Sequence, residues 1–215
     1  MTPIFITGSG TGIGKTFVAE ALLRAWRAAG RNVAVLKPVI TGFDEAAVAA
    51  SDIGRLLAAA GVTPTSEYIS LVSPWRFAAP LSPDMAAARE GSSVPVDEVI
   101  AYCRAAIAEA EQADMSLAIE GIGGVMVPLD GTRTVADVIA ALDIPAILVC
   151  GSYLGSLSHT LTAYEALRAR DVEIDRIIVS ETPDSEVPLA ETRDVLARFV
   201  APVAVEVMPF VPDGV

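Results

Sequence analysis

A doubly wound α/β domain, with a mostly parallel sheet and helices on both faces, is predicted by three features of the 215-residue sequence. Short apolar runs alternate with amphipathic stretches along the whole chain. The runs are apolar throughout rather than at every second position, as strands covered on both faces require. Two of the amphipathic stretches stop at a glycine just past the last periodic residue.

Taken in order, residues 4–7 form the first apolar run, and a glycine-rich turn leads from it into a helical pattern over 15–29, closed by Gly30. A second strand is predicted over 33–37, then a helix over 51–60 closed by Gly61. The long pattern over 96–112 is a helix, 116–120 a strand, 134–142 a helix and 146–149 a buried strand. A helix over 156–170, a strand over 176–179, a helix over 188–199 and a strand over 203–207 complete the series. There is no repeat, low-complexity tract or linker, so one domain spanning 1–215 is expected.

Composition narrows the function classes. The chain is 53% hydrophobic and 20% charged, with a mean hydropathy of +0.51, which excludes disorder. Its length supports a sizeable core without disulfides or a structural metal. With 15 basic against 27 acidic residues, the net charge is −12. Nucleic acid and anionic membrane both need a basic face, so neither is an expected partner. No run approaches the roughly 18 apolar residues of a membrane helix. The first Lys or Arg is Lys15, so no secretory leader is expected. Cys103 and Cys150 read as reduced, buried thiols of a cytoplasmic protein.

In this architecture ligands sit beyond the carboxyl ends of the strands. Three loops there carry chemistry. The first is Gly8-Ser9-Gly10-Thr11-Gly12-Ile13-Gly14-Lys15-Thr16. Its glycines let the backbone curl so that N–H groups and a helix dipole face one concavity, which favours phosphate. Lys15 can reach the outer phosphates and the Thr16 hydroxyl can ligate Mg²⁺, which makes the fold class P-loop NTPase-type. The spacing is Gly-x5-Gly-Lys-Thr, one residue longer than the strict Walker pattern. In the second loop Lys37, ending an apolar strand, points its ammonium either into the crevice or along the surface. Downstream of it, Asp52 is either an ordinary first-turn residue that favours the helix dipole or a metal-side carboxylate. The third loop places Glu120 at the end of a strand, followed by Gly121, Gly123 and Gly124. His159 lies near Ser156 and Ser158, but no Gly-x-Ser-x-Gly elbow surrounds them, so it reads as a structural or interface histidine.

Together these loops resemble dethiobiotin synthetase. The resemblance runs from Thr7 to about Thr162 and rests on an ordered set of segments. They are the extended phosphate loop, Lys37-Pro38-Val39-Ile40-Thr41-Gly42, Ser51-Asp52, Pro80-Leu81-Ser82-Pro83, Glu120-Gly121-Ile122-Gly123-Gly124 and Leu154-Gly155-Ser156-Leu157-Ser158-His159. The chain departs from the family at Gly10 and Gly12, where acidic residues are common, and at Ser158, where Asn is usual. Ser180-Glu181-Thr182-Pro183 stands where the family carries an adenine-reading Asn.

The resemblance implies ATP-dependent closure of a ureido ring on 7,8-diaminopelargonate with CO2, through a carbamate and a carbamic-phosphoric anhydride. It implies nucleotide contacts at Gly10, Thr11, Gly12, Ile13, Gly14, Lys15, Thr16, Asp52 and Glu120. Mg²⁺ would be held by Thr16, Asp52 and Glu120, and Lys15 and Lys37 would be catalytic. Thr41 would bind near the carbamate, while Gly155, Ser156, Leu157 and Ser158 would take the substrate carboxylate across a homodimer interface. The alternative is a switch ATPase of the partition or septum-site kind, which usually carries a further lysine near the start of the P-loop; residues 1–14 contain none.

Overall fold

The computed structural model describes residues 3–183 and 185–210. The chain runs β1 (Ile4–Gly8), α1 (Lys15–Ala28), β2 (Val33–Leu36), β3 (Val39–Thr41), a 3-10 helix (Glu45–Ala50) and α2 (Asp52–Ala60). It continues through α3 (Ser66–Val72), β4 (Trp75–Phe77), α4 (Pro83–Arg89), α5 (Val96–Gln112) and β5 (Ser116–Glu120). It closes with α6 (Val135–Leu142), β6 (Ala146–Gly151), α7 (Ser156–Arg168), β7 (Ile174–Ser180), α8 (Leu189–Val200) and β8 (Ala204–Met208).

Six strands form one sheet in the order β2-β5-β1-β6-β7-β8, and every pairing within it is parallel. Successive side chains on a strand face opposite ways, and the core divides accordingly. Phe5, Leu117, Ile119, Leu148 and Ile177 pack with residues of α5, α6, α7 and α8. Ile6, Ala118, Ile147, Val149 and Ile178 pack with residues of α1 and α2 on the other face. Helices therefore cover both faces, which is why strands such as β5 and β6 are buried end to end.

The structure corrects several boundaries. The second strand stops at Leu36, so Lys37 follows it, with its N–H donated to the carbonyl of Val72 at 3.0 Å. Strands β1, β6 and β7 each extend beyond the predicted runs, and α7 ends two residues early, at Arg168. Five elements went unpredicted: the β3–β4 pair, the 3-10 helix, α3 and α4. Each has seven residues or fewer, too short to display a period. Parallel pairing brings the carboxyl ends of β1, β2 and β5 to one edge, and the site lies there.

Candidate active site

At that edge, a cavity of about 430 Å³ is lined by Thr11, Gly12, Gly14, Lys15, Thr16, Phe17, Lys37, Ile40, Thr41, Asp52, Arg55, Glu120, Ile122 and Gly123. The phosphate loop is braced from below, where the Ser9 N–H donates to the carbonyl of Val149 on β6 at 2.9 Å. Gly14, with φ 93, stands at the N-cap of α1. A Cβ there would lie 2.4 Å from Ser180 Oγ at the end of β7, so only glycine lets the loop close onto the sheet.

Lys15 and Thr16 open α1, which directs both side chains into the cavity. The Lys15 ammonium donates to the loop's own Gly10 carbonyl at 2.7 Å. Burial, aided by the neighbouring Lys37 charge, pulls its pKa down to about 8. Ser51 caps α2 by accepting the Gly54 N–H at 3.3 Å, which sets Asp52 as the first helical residue on the cavity wall.

Glu120 is the hub. Its Oε1 accepts from the Thr16 hydroxyl at 2.9 Å and from Lys37 Nζ at 2.5 Å, while Lys37 Nζ also lies 3.0 Å from Asp52 Oδ2. Both Lys37 and Glu120 are buried, at 3% and 1% exposure. Burial works against the Lys37 charge, yet Glu120 and Asp52 outweigh it and raise its pKa above the ordinary lysine value. The same ammonium outweighs burial at Asp52 and lowers that carboxyl. The ambiguity over Lys37 is thereby resolved: its ammonium faces the crevice. The 215 residues contain only two lysines, and both stand here.

Glu120 Oε2 is buried without a hydrogen-bond partner. An orphaned carboxylate oxygen beside a hydroxyl and a second carboxylate is a hard, anionic donor set that suits Mg²⁺.

The predicted residues divide into three groups. Thr11, Gly12, Gly14, Lys15, Thr16, Lys37, Thr41, Asp52 and Glu120 line one cavity. Gly10 contributes its carbonyl to Lys15, whereas the Ile13 side chain is buried in the core on the α1 face. Gly155, Ser156, Leu157 and Ser158 do not line the cavity; they begin α7, past the end of β6. There Ser156 is buried with an unpartnered hydroxyl, Leu157 packs against the core and Leu154 is 91% exposed. The His159 Nδ1 sits 2.8 Å from the Tyr153 hydroxyl, and among the described residues its ring makes no hydrogen bond to a serine. Sequence reasoning missed Phe17 and Arg55 on the cavity wall; Arg55 stands three residues after Asp52 in α2, a spacing that does not by itself set it apart from any other helical arginine.

Residues 2–213 match a family model described as an AAA domain. The ATP-dependent dethiobiotin synthetase BioD of Acidiphilium cryptum is 47% identical over 93% of this chain and 89% of its own length. The enzyme of the same name from Methylobacterium nodulans is 45% identical over 92% and 89%. Among solved structures, the MinC:MinD cell division complex of Aquifex aeolicus aligns with a TM-score of 0.58 at 15% identity, over 99% of this chain and 83% of that one. MinD of Pyrococcus horikoshii with Mg-ADP aligns with a TM-score of 0.54 at 18% identity, over 98% and 82%. At those identities the structural likeness establishes the P-loop fold alone. The sequence relatives go further and separate the chain from the switch ATPases that share this fold: it belongs to the ATP-dependent dethiobiotin synthetase family.

Proposed function

We propose that this chain, acting as one P-loop domain over 1–215, closes the ureido ring of dethiobiotin from 7,8-diaminopelargonate, CO2 and ATP. The observation that carries this reading is the convergence of Lys15, Lys37, Thr16, Asp52 and Glu120 in one cavity.

One substrate amine adds to CO2, forming an N–C bond, losing a proton and giving a carbamate. A carbamate oxygen then attacks the terminal phosphorus of ATP and ADP leaves. The second amine attacks the carbamoyl carbon of the resulting anhydride and loses a proton, the C–O bond to phosphate breaks, phosphate departs and the ring closes. No step needs an enzyme nucleophile, so the protein's work is alignment and charge neutralisation. The phosphate loop at Gly10, Thr11, Gly12, Ile13 and Gly14 presents backbone N–H groups to the nucleotide, and Lys15 neutralises the transferred phosphoryl group. Lys37 and Thr41 hold the carbamate. Thr16, Asp52 and Glu120 would hold Mg²⁺, which when bound supplies charge neutralisation to the phosphates.

The second half of the reading concerns assembly. Gly155, Ser156, Leu157 and Ser158 open a 13-residue helix, whose N-terminal dipole favours a carboxylate, although the Ser156 N–H is itself donated to the Tyr153 carbonyl at 3.0 Å. They lie outside the cavity; on the family resemblance, the carboxylate of this long aliphatic acid is held by a second copy of the chain in a homodimer. Light scattering at assay concentration tests this half: a fully active monomer ends it.

The reaction itself is tested by incubating the protein with diaminopelargonate, bicarbonate and Mg-ATP and measuring phosphate release with each component omitted in turn. Release should require both the diamine and CO2. Undiminished turnover without the diamine would point instead to a switch ATPase.

A further inference from the structure

Arg55 lines the cavity but has no part in the reaction just derived. It stands three residues after Asp52, nearly one turn along α2 and on the same side of the helix. Its Nε donates to Glu20 Oε1 at 2.5 Å. Glu20 is a carboxylate of α1 with only 5% exposure, and its other oxygen accepts from Arg24 at 3.1 Å. A buried carboxylate thus fixes one edge of the Arg55 guanidinium.

The outer edge is unused. Neither terminal nitrogen of Arg55 has a hydrogen-bond partner among the described residues, and its side chain is 39% exposed where it borders the cavity. The two lysines of the cavity are both engaged, Lys37 by Glu120 and Asp52 and Lys15 by the Gly10 carbonyl. Arg55 is the cavity cation whose donors are free to meet a ligand. A simple clamp between α1 and α2 does not account for this placement. The helices already meet through Arg27, which donates to the Ala59 carbonyl at 3.1 Å, and through Leu23, Leu56 and Leu57 in one core.

A guanidinium held by one edge, with its remaining N–H donors open, matches the geometry of an oxyanion. We propose that Arg55, oriented by Glu20, binds an oxyanion of the reactants on the Asp52 wall of the cavity. Resting on the function proposed above, that oxyanion comes either from the nucleotide phosphates or from the carbamate or carboxylate of the second substrate. Glu20 is then a positioning residue, acting through Arg55.

The test uses the full chain with Arg55→Gln, Arg55→Lys and Glu20→Gln. Calorimetry gives the Kd for a Mg-bound, non-hydrolysable ATP analogue, and steady-state assays give KM for diaminopelargonate and for bicarbonate. Arg55→Gln should raise one of these constants about tenfold. A raised Kd identifies the phosphates as the source, and a raised KM identifies the second substrate. Arg55→Lys, which keeps the charge without the planar fork, should fall between wild type and Arg55→Gln. Glu20→Gln should raise the same constant in the same direction, which a merely structural pairing would not do. If all the constants stay within twofold of wild type while the thermal midpoint falls, Arg55 is a helix clamp and the proposal is overturned. Should Arg55→Gln fail to fold, Arg55→Lys is read in its place, and parity with wild type overturns the proposal. Failure of the reaction reading appears separately, as diamine-independent phosphate release by the wild-type protein; the calorimetric arm then decides alone.

Discussion

Lys37 carries two burdens in the proposed reaction, since it lines the cavity and also neutralises Glu120 and Asp52 inside the protein. Lys37→Gln keeps a hydrogen-bond donor for Glu120 while deleting the charge. It should leave Mg-nucleotide binding within a few fold, because the phosphate loop and Lys15 are intact, and lower product formation by about 10²–10³-fold. Calorimetry against turnover separates the two; a large loss of nucleotide binding with normal turnover of what binds would reassign Lys37 to the nucleotide. At this scale the cavity wall was largely legible. Lys37 and Glu120 sit just past and at the carboxyl end of an apolar run, where a charged residue has few structural uses, and Lys15 and Thr16 close the glycine-rich turn that opens α1. Arg55 was not legible, because an arginine inside an amphipathic helix is compositionally ordinary and only the α1–α2 packing turns it toward the site.

Among the elements, α6 shows how a helix is fixed by its first turn. Thr134 and Asp137 form a reciprocal capping box, and the Asp137 carboxylate also accepts from Arg170 at 2.8 Å. Burial works to raise the Asp137 carboxyl, but Arg170 and Thr134 outweigh it and hold it at about 2, below its ordinary 3.8. A depressed carboxyl stabilises the fold above its unfolded pKa, and that contribution is lost as pH falls through the folded value. Asp137→Asn should therefore cost about 1 kcal/mol near neutrality. The gap between the variant and wild type, read as thermal midpoints, should close between about pH 4 and about pH 2. A gap independent of pH would show that shape, not charge, matters there. Long elements such as α5 and α1 were legible from their periodicity. The end of α6 was not marked by the usual glycine: Asp143 adopts the left-handed conformation there, with φ 53. The β3–β4 ribbon escaped notice because three-residue strands owe their existence to each other and not to any local pattern.

For the whole molecule, the fold class was legible and the strand order was not. β1 lies between β5 and β6, partners more than a hundred residues further along the chain, and no local feature of residues 4–8 announces them. That arrangement nevertheless decides where every charge of the cavity falls, and it gathers both lysines of a 215-residue chain at one sheet edge while the other 13 basic residues are arginines. A consequence follows for chemical labelling. Apart from the amino terminus, a small amine-selective reagent has only two side chains to attack, and they differ sharply. Lys15, on the cavity wall with a pKa near 8, becomes a free amine at mildly alkaline pH. Lys37 stays protonated and enclosed by two carboxylates. Native protein at about pH 8 should thus take up one side-chain adduct, at Lys15, and a second only on unfolding. Peptide mass mapping reads this directly, and Mg-nucleotide should suppress the first adduct. Equal modification of both lysines in the folded protein would contradict the enclosure of Lys37. With so few amines, the extent of labelling becomes a measure of how much of the site is occupied.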